Sequence, residues 1–350
     1  MALFDADFVP NADFLQKTVH YFTDEKVGCV QARWGHINKE YSILTRLQSI
    51  FLDGHFMMEH AARNRSGRFF NFSGTAGMWR KSTIADAGGW QHDTLTEDLD
   101  LSFRAQLKNW KFVFVPDVVT PAELPVEMNG FKSQQHRWVK GSMQTSKKLL
   151  KDVVAAKIPF HVKTEGVVHL VGNTAYILTL LLALIMFPVT YFRPKLEMKT
   201  SVILDLVVFA LATFSVCIFY LSSQRELYGW RGVVRTFFYT PMLLAMGIGM
   251  CLSNAKAVVE GLLTRGGEFV RTPKYAINVQ KDTFLGKKYK LSFKKLLPFV
   301  ELAIGLGFGW VVYYSFQNKM YGAIPFQMLF FIGFTYVAFL SLFQGKLTAR

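Results

Sequence analysis

The rhythm of apolar and polar positions changes about halfway along this chain. Over the first 130 residues, short apolar runs alternate with longer stretches of helical period. Residues 1–8 read as a short buried strand ending in acidic residues, and 27–32 reads as another. From 40 to about 65 a long helix is predicted, with Ile43, Leu47, Ile50, Gly54, Met57 and Ala61 on one side. Residues 69–79 look strand-like and are broken by Gly74 and Gly77. Residues 98–108 read as a helix with Thr96 as N-cap, and 111–115 as a strand closed by Pro116. Strands alternating with helices predict an α/β domain.

Further on, the pattern becomes that of a membrane protein. Residues 142–158 are basic and amphipathic, with Leu149, Leu150, Val153 and Val154 near one face, and Pro159 marks a break. Such a helix can lie in a membrane interface. Four apolar segments, roughly 167–189, 202–221, 296–316 and 323–343, are long enough to cross about 30 Å of hydrocarbon. A fifth, 233–253, contains Pro241 and runs into Asn254-Ala255-Lys256, so its pattern is ambiguous. Asp205 and Glu301 lie inside apolar segments but near their ends. Solvation by the headgroup region is the expectation for both.

Composition sharpens this division. The chain is 51% hydrophobic and 15% aromatic, with 33 Phe, and the apolar excess lies after about residue 165. Net charge is +15. Residues 1–165 hold 21 Lys/Arg against 18 Asp/Glu, while 166–350 hold 19 against 7. A basic excess in the membrane half points to topology and anionic lipid headgroups. No nucleic-acid-binding signature accompanies it, so no nucleic-acid partner is expected. With the α/β domain in the cytosol and 233–253 not crossing, the later loops carry 15 Lys/Arg inside and 4 outside; if 233–253 crosses, the ratio inverts. Residues 233–264 are therefore expected to form an interfacial or re-entrant helix, with 265–295 cytosolic. Cys29, Cys217 and Cys251 are far apart, which argues against a disulfide framework or a zinc site.

Three motifs carry chemistry. Asp5-Ala-Asp7, at the end of a strand, can present oxygens to one divalent cation. Mg²⁺ is commonly held by few carboxylates plus phosphate oxygens. Thr96-Glu97-Asp98-Leu99-Asp100 opens a helix. Acids there complement the helix dipole, or one of them serves as general base for an acceptor hydroxyl. In Gln134-Gln135-His136-Arg137-Trp138, Gln134 and Arg137 share a helix face. Arg can fork onto a diphosphate, and Trp offers a flat surface and an N–H to a sugar ring. Taken alone, this last motif reads equally as an amphipathic helix entering a membrane.

In this order, on a membrane-anchored chain, the motifs resemble those of the processive family-2 glycosyltransferases of the cellulose synthase, mannan synthase and hyaluronan synthase group. The resemblance implies a GT-A-like (Rossmann-like) α/β domain at 1–141, an amphipathic interfacial helix at 142–165, and a multi-pass region at 166–350 with about four spanning helices. It implies metal ligation by Asp5 and Asp7, with Mg²⁺ or Mn²⁺, and base catalysis by Asp98 beside Glu97. Substrate contacts are implied for Gln134, Arg137 and Trp138. The stretch 70–77 matches the family's glycine-rich acceptor strand, which adds Gly74 and Thr75. The stretch 269–274 is similar to the family's gating loop, which adds Val270, Thr272 and Lys274.

The implied function is inverting transfer of a hexose from a nucleotide sugar, UDP-glucose or GDP-mannose, to a growing polysaccharide, with or without coupled export, at the plasma (inner) membrane with the catalytic domain cytosolic. Single transfer to a lipid acceptor is the near alternative. A non-catalytic transport or channel subunit, or an inactive fragment, are alternatives of another class. Only Met1–Phe4 precede Asp5, so the GT-A part is expected to be N-terminally truncated.

Overall fold

The computed structural model describes residues 1–196, 202–277, 282 and 296–347. In chain order the elements are β1 (Ala2–Leu3), α1 (Phe14–Thr18), β2 (Val27–His36), α2 (Ile43–Gly54), a π-helical segment (His55–His60), α3 (Ala61–Arg65), β3 (Gly77–Trp79), α4 (Lys81–Asp86), α5 (Glu97–Leu107) and β4 (Lys111–Ala122). Then follow α6 (Met128–Ala155), α7 (Phe160–Val171), α8 (Ala175–Phe192), α9 (Val202–Gly249), α10 (Cys251–Leu263), α11 (Leu297–Gln317) and α12 (Ile324–Leu347). Two compact units result. The first holds Met1–Pro125, Ser133–Asn173 and Ala257–Asp282. The second holds Val126–Lys132, Thr174–Lys256 and the described part of Thr283–Arg350.

The first unit is the expected α/β domain. Its sheet has the order β1-β3-β2-β4; β3 is antiparallel to β1 and β2, and β2 is parallel to β4. One set of core residues includes Cys29, Phe56, Phe70, Phe72, Trp79 and Phe112. Another includes Phe14, Val27, Val30, Ala32 and Val115. Apolar neighbours from both sets explain why the start of β2, Val27–Val30, is an apolar run instead of an alternating one.

Several elements depart from the sequence reading, each for a local reason. Strand β4 does not stop at Pro116. The ladder pairs Ala32 with Val115 and then Arg33 with Val119, so Pro116 sits in an irregularity where its missing N–H costs nothing. Arg33 Nε donates to the Pro116 carbonyl at 3.0 Å. Residues 69–76 are not strand; side chains satisfy their backbone instead. Gln106 brackets Phe70, donating to its carbonyl at 2.8 Å and accepting its N–H at 3.2 Å. Ser102 Oγ accepts the Phe72 N–H at 2.9 Å. Gln31 accepts the Ser73 N–H and donates to the Thr75 and Ala76 carbonyls. The long helix begins at Ile43 behind a Ser42–Thr45 capping box and contains the π-helical segment. That segment carries His60, whose Nε2 lies 2.9 Å from the Asn71 carbonyl.

Most of the 142–158 stretch, up to Ala155, is the second half of the 28-residue α6. Its apolar residues Leu149 and Val153 are buried with Phe69, Leu99, Phe103, Val162 and Leu170. Leu150 is partly buried against them, while Val154 on the same face is exposed.

Helical runs dominate the second unit. Among the described residues four are long and apolar enough to cross a membrane: Phe160–Phe192, Val202–Gly249, Leu297–Gln317 and Tyr321–Gln344. A non-helical residue, Gly229, breaks α9 into two pieces. Helices α9 and α12 approach closely at Gly249 and Gly333. A Cβ on Gly249 would lie 2.2 Å from the Gly333 carbonyl oxygen, so only glycine permits this packing. Glu301 corrects the headgroup expectation. It is fully buried, and Lys132 Nζ donates to both its carboxylate oxygens at 2.7 Å. A buried carboxylate needs a partner, and the start of α6 supplies one. Asp205 likewise pairs with Arg193 at 3.0 Å.

Candidate active site

The sheet places the first motif. Strand β1 ends at Leu3, so Asp5 and Asp7 follow on the turn beyond it. Thr75 Oγ1 accepts the Asp5 N–H at 2.8 Å, which ties this turn to the glycine-rich stretch. Phe8 bridges to Ala122 and the Val9 N–H donates to the Pro121 carbonyl at 2.9 Å, so the same turn reaches the end of β4.

Helix α5 places the second motif. Its first turn carries Glu97, Asp98 and Asp100. Asp98 Oδ1 accepts the Leu99 N–H at 2.8 Å, and the Asp98 carbonyl accepts the Ser102 hydroxyl at 2.5 Å. Ser102 in turn holds Phe72, so the base candidate and the glycine-rich stretch share one bracket. Gly74 adopts φ +80°, and a Cβ there would lie 3.1 Å from Asp98 Oδ2. The stretch therefore needs glycine twice over, for its backbone and for its approach to the carboxyl. Desolvation by the surrounding protein, and then the Glu97 charge, push the Asp98 carboxyl up to about 7; the Leu99 N–H and Arg137 oppose this. Asp100, two residues on, is fully buried and paired with Arg104 at 2.6 Å and Lys148 at 3.0 Å. Its charge is committed to structure.

Helix α6 places the third motif. Arg137 is half-buried, and its charge is felt by Asp98, Glu97 and Asp5 alike. Desolvation lowers its pKa and those three acids oppose the shift. Its Nε is buried without a hydrogen-bond partner among the described residues, a donor held ready for an anion. Gln134 is half-buried one helical turn earlier. Trp138 lies 6.2 Å, centroid to centroid, from Trp34 of β2, and Trp34 packs edge-on against Phe8 beside Asp7.

The stretch 264–277, after α10, closes the set. The Phe269 ring lies 4.3 Å from the Arg137 guanidinium carbon. Val270 is exposed. Thr272 Oγ1 is buried and unpartnered among the described residues. Lys274 Nζ pairs with Asp7 Oδ2 at 2.9 Å. The rest of the expected 265–295 segment, Asp282 apart, lies outside the described residues. Every candidate residue thus falls in the first unit.

The donor set suits a hard divalent cation that keeps most of its shell for phosphate and water. Two carboxylates one residue apart are present, and Asp5 is pushed above its ordinary pKa by desolvation and then by Asp7, against Arg137 and Lys274. Among the described residues no group of three or more His, Cys, Asp or Glu is arranged to hold an ion. Sequence reasoning missed Gln31 and Glu123. Gln31 was visible as a polar residue within an apolar strand. Glu123 had no signal of its own.

Comparison with known proteins agrees with this geometry. The family model for glycosyl transferase family group 2 matches residues 1–252. Over 158 residues the chain is 47% identical to glucomannan 4-beta-mannosyltransferase 1 of Cyamopsis tetragonoloba, covering 45% of this chain and 30% of that protein. Over 306 residues it is 32% identical to glucomannan 4-beta-mannosyltransferase 1 of Oryza sativa subsp. japonica, covering 85% of this chain and 55% of that protein. The chain thus spans about half the length, or less, of these relatives. With the ordered motifs, the α/β sheet that carries them and these matches together, the chain belongs to glycosyl transferase family group 2.

Proposed function

We propose that this chain transfers a mannosyl residue, with inversion, from a nucleotide sugar to the end of a β-linked polysaccharide at a membrane. The observation that supports this reading is the convergence on Arg137: its guanidinium feels the charges of Asp5, Glu97 and Asp98, which come from motifs distant in sequence. Asp98 takes the proton from the acceptor hydroxyl as that oxygen attacks the anomeric carbon. A base with its pKa near the working pH is well matched to this task. Arg137, with Gln134, faces the departing diphosphate, and Trp138 stacks on the acceptor sugar. Gly74 and Thr75 shape the acceptor side. Val270, Thr272 and Lys274 cover the donor side. Asp5 and Asp7 would hold Mg²⁺ or Mn²⁺, which when bound neutralises charge on the leaving group.

The names of both relatives favour a mannosyl donor, GDP-mannose, over UDP-glucose. The charge bias of the loops supports a catalytic unit on the cytosolic face, with 233–264 at the interface; the plasma (inner) membrane is proposed from the family resemblance alone. Membranes from cells expressing the chain would be given radiolabelled GDP-mannose or UDP-glucose with Mg²⁺. The expected product is ethanol-insoluble, comes from GDP-mannose, and is cut by a β-mannan-specific endo-hydrolase. Label from UDP-glucose alone would reassign the sugar. Label confined to solvent-extractable glycolipid would make this a single-transfer enzyme.

A further inference from the structure

The sequence motifs do not include Glu123, yet Lys274, Tyr275 and Ala276 of the 264–277 stretch all hydrogen-bond to it. It follows β4 immediately and is 8% exposed. Its two carboxylate oxygens accept consecutive backbone amides: Oε1 from the Tyr275 N–H at 3.0 Å and Oε2 from the Ala276 N–H at 2.9 Å. Its own carbonyl accepts Lys274 Nζ, the group that also pairs with Asp7 Oδ2. Ala276 takes φ +55°, unusual for a residue with a Cβ.

The stretch is tied at its other end as well. The Gly266 N–H donates to the Asp93 carbonyl at 2.8 Å, and Gln144 Nε2 donates to the Gly266 carbonyl at 2.7 Å. Between these ties, Phe269 lies against Arg137. Residues 266–276 are therefore a strap pinned at both ends, with its middle on the guanidinium and Lys274 on a metal-ligand candidate.

We propose that Glu123 is a positioning residue: by clamping the Tyr275 and Ala276 amides it seats this strap and sets Lys274 against Asp7. Asp7 then meets a cation from the protein itself, the Lys274 ammonium. A divalent cation arriving with a diphosphate would compete with that ammonium for the Asp7 oxygen. Lys274 would then be left beside the donor's phosphates, held in reach by the Glu123 clamp. A carboxylate is needed because both donors are N–H groups. An amide at this position would turn its own N–H₂ toward one of them, losing that bond and adding repulsion. The role in donor positioning rests on the glycosyl-transfer reading above; the clamp itself does not.

The test is hydrogen exchange on the full chain in detergent, comparing wild type with Glu123→Gln. Peptides from β2 and β4 report whether the fold is intact. The expected result is unchanged protection there and exchange roughly tenfold faster at Tyr275 and Ala276, the loss of charge-assisted bonds. With nucleotide sugar and Mg²⁺, donor KM should rise about tenfold while kcat at saturation falls much less. If Glu123→Gln loses protection in β2 and β4 as well, Glu123→Asp keeps the charge but withdraws the carboxylate, and the same two readouts apply. Wild-type exchange at Tyr275 and Ala276 would overturn the clamp. Faster exchange with unchanged donor KM would overturn the positioning role and leave a purely structural tie. A preparation without transferase activity still decides the clamp by exchange; addition of Mg²⁺ and inorganic pyrophosphate then decides positioning. Wild type should gain protection over 269–277, and Glu123→Gln should gain little. Equal gain in both would overturn the role.

Discussion

Two charge clusters in this molecule follow opposite rules. In the second unit, Lys132 and Glu301 are fully buried and satisfy each other: one ammonium lies between two oxygens at 2.7 Å, with Ser341 Oγ at 3.4 Å. In the first unit, Arg137, Asp5, Glu97 and Asp98 sense one another but do not close into pairs. Arg137 Nε is unpartnered among the described residues, and Asp98 is pushed up to about 7. The first cluster is complete without a ligand. The second holds unspent electrostatic capacity, as expected where charge must be moved during a reaction.

The sharpest test of this contrast is Asp98→Asn, because activity and stability should change in opposite directions. With Asp98 as the proposed base, its loss should reduce turnover by about 10²–10⁴-fold. Stability should rise. A raised folded-state pKa means that the protonated carboxyl favours the fold. That contribution is complete below the ordinary carboxylate pKa of about 3.9, and it is lost as pH rises through about 7. Asn mimics the protonated form, so the variant should gain stability above pH 7 and little near pH 4. Thermal unfolding in detergent at pH 8 and pH 5 reads this directly. Equal stability at both pH values would show that Asp98 is not held out of water.

Lys132→Met should behave in the opposite way. It leaves Glu301 buried and alone, at a cost of about 3–5 kcal/mol. Adding Glu301→Gln should recover most of that loss. A double variant as unstable as the single one would mean that the pair is not the source of the effect.

Arg137→Lys keeps the charge but loses the fork. A fall in turnover of about 10²–10³-fold is expected, with unfolding temperature nearly unchanged. Full activity in the Lys variant would reduce Arg137 to a point charge.

Gly74→Ala brings a smaller loss. Strain at φ +80° and contact with Asp98 Oδ2 should cost about 1–2 kcal/mol and roughly tenfold in rate. A variant as active as wild type would mean that the glycine-rich stretch yields without disturbing Asp98.

The sequence carried the α/β class, the four apolar helical runs and the three motifs, because each depends on local period or spacing. It could not show that 69–76 is held by side chains. Gln31, Ser102 and Gln106 come from distant elements, and glycines within apolar residues look like an interrupted strand. Pro116 looked like a stop because the irregularity that accommodates it is a property of pairing, not of one strand. Glu301 looked solvated because its partner, Lys132, lies 169 residues away. Glu123 resembles any acid after a strand until the amides of Tyr275 and Ala276 are placed against it.

The assignment of Asp98 as a base poised by its surroundings is tested most directly by the pH dependence of kcat/KM for wild-type transfer. Asp98 must be ionised to accept the hydroxyl proton. The expected profile falls about tenfold per pH unit on the acid side, with an apparent pKa near 7. A profile that stays flat to pH 5, breaking only near the ordinary carboxylate value, would contradict it.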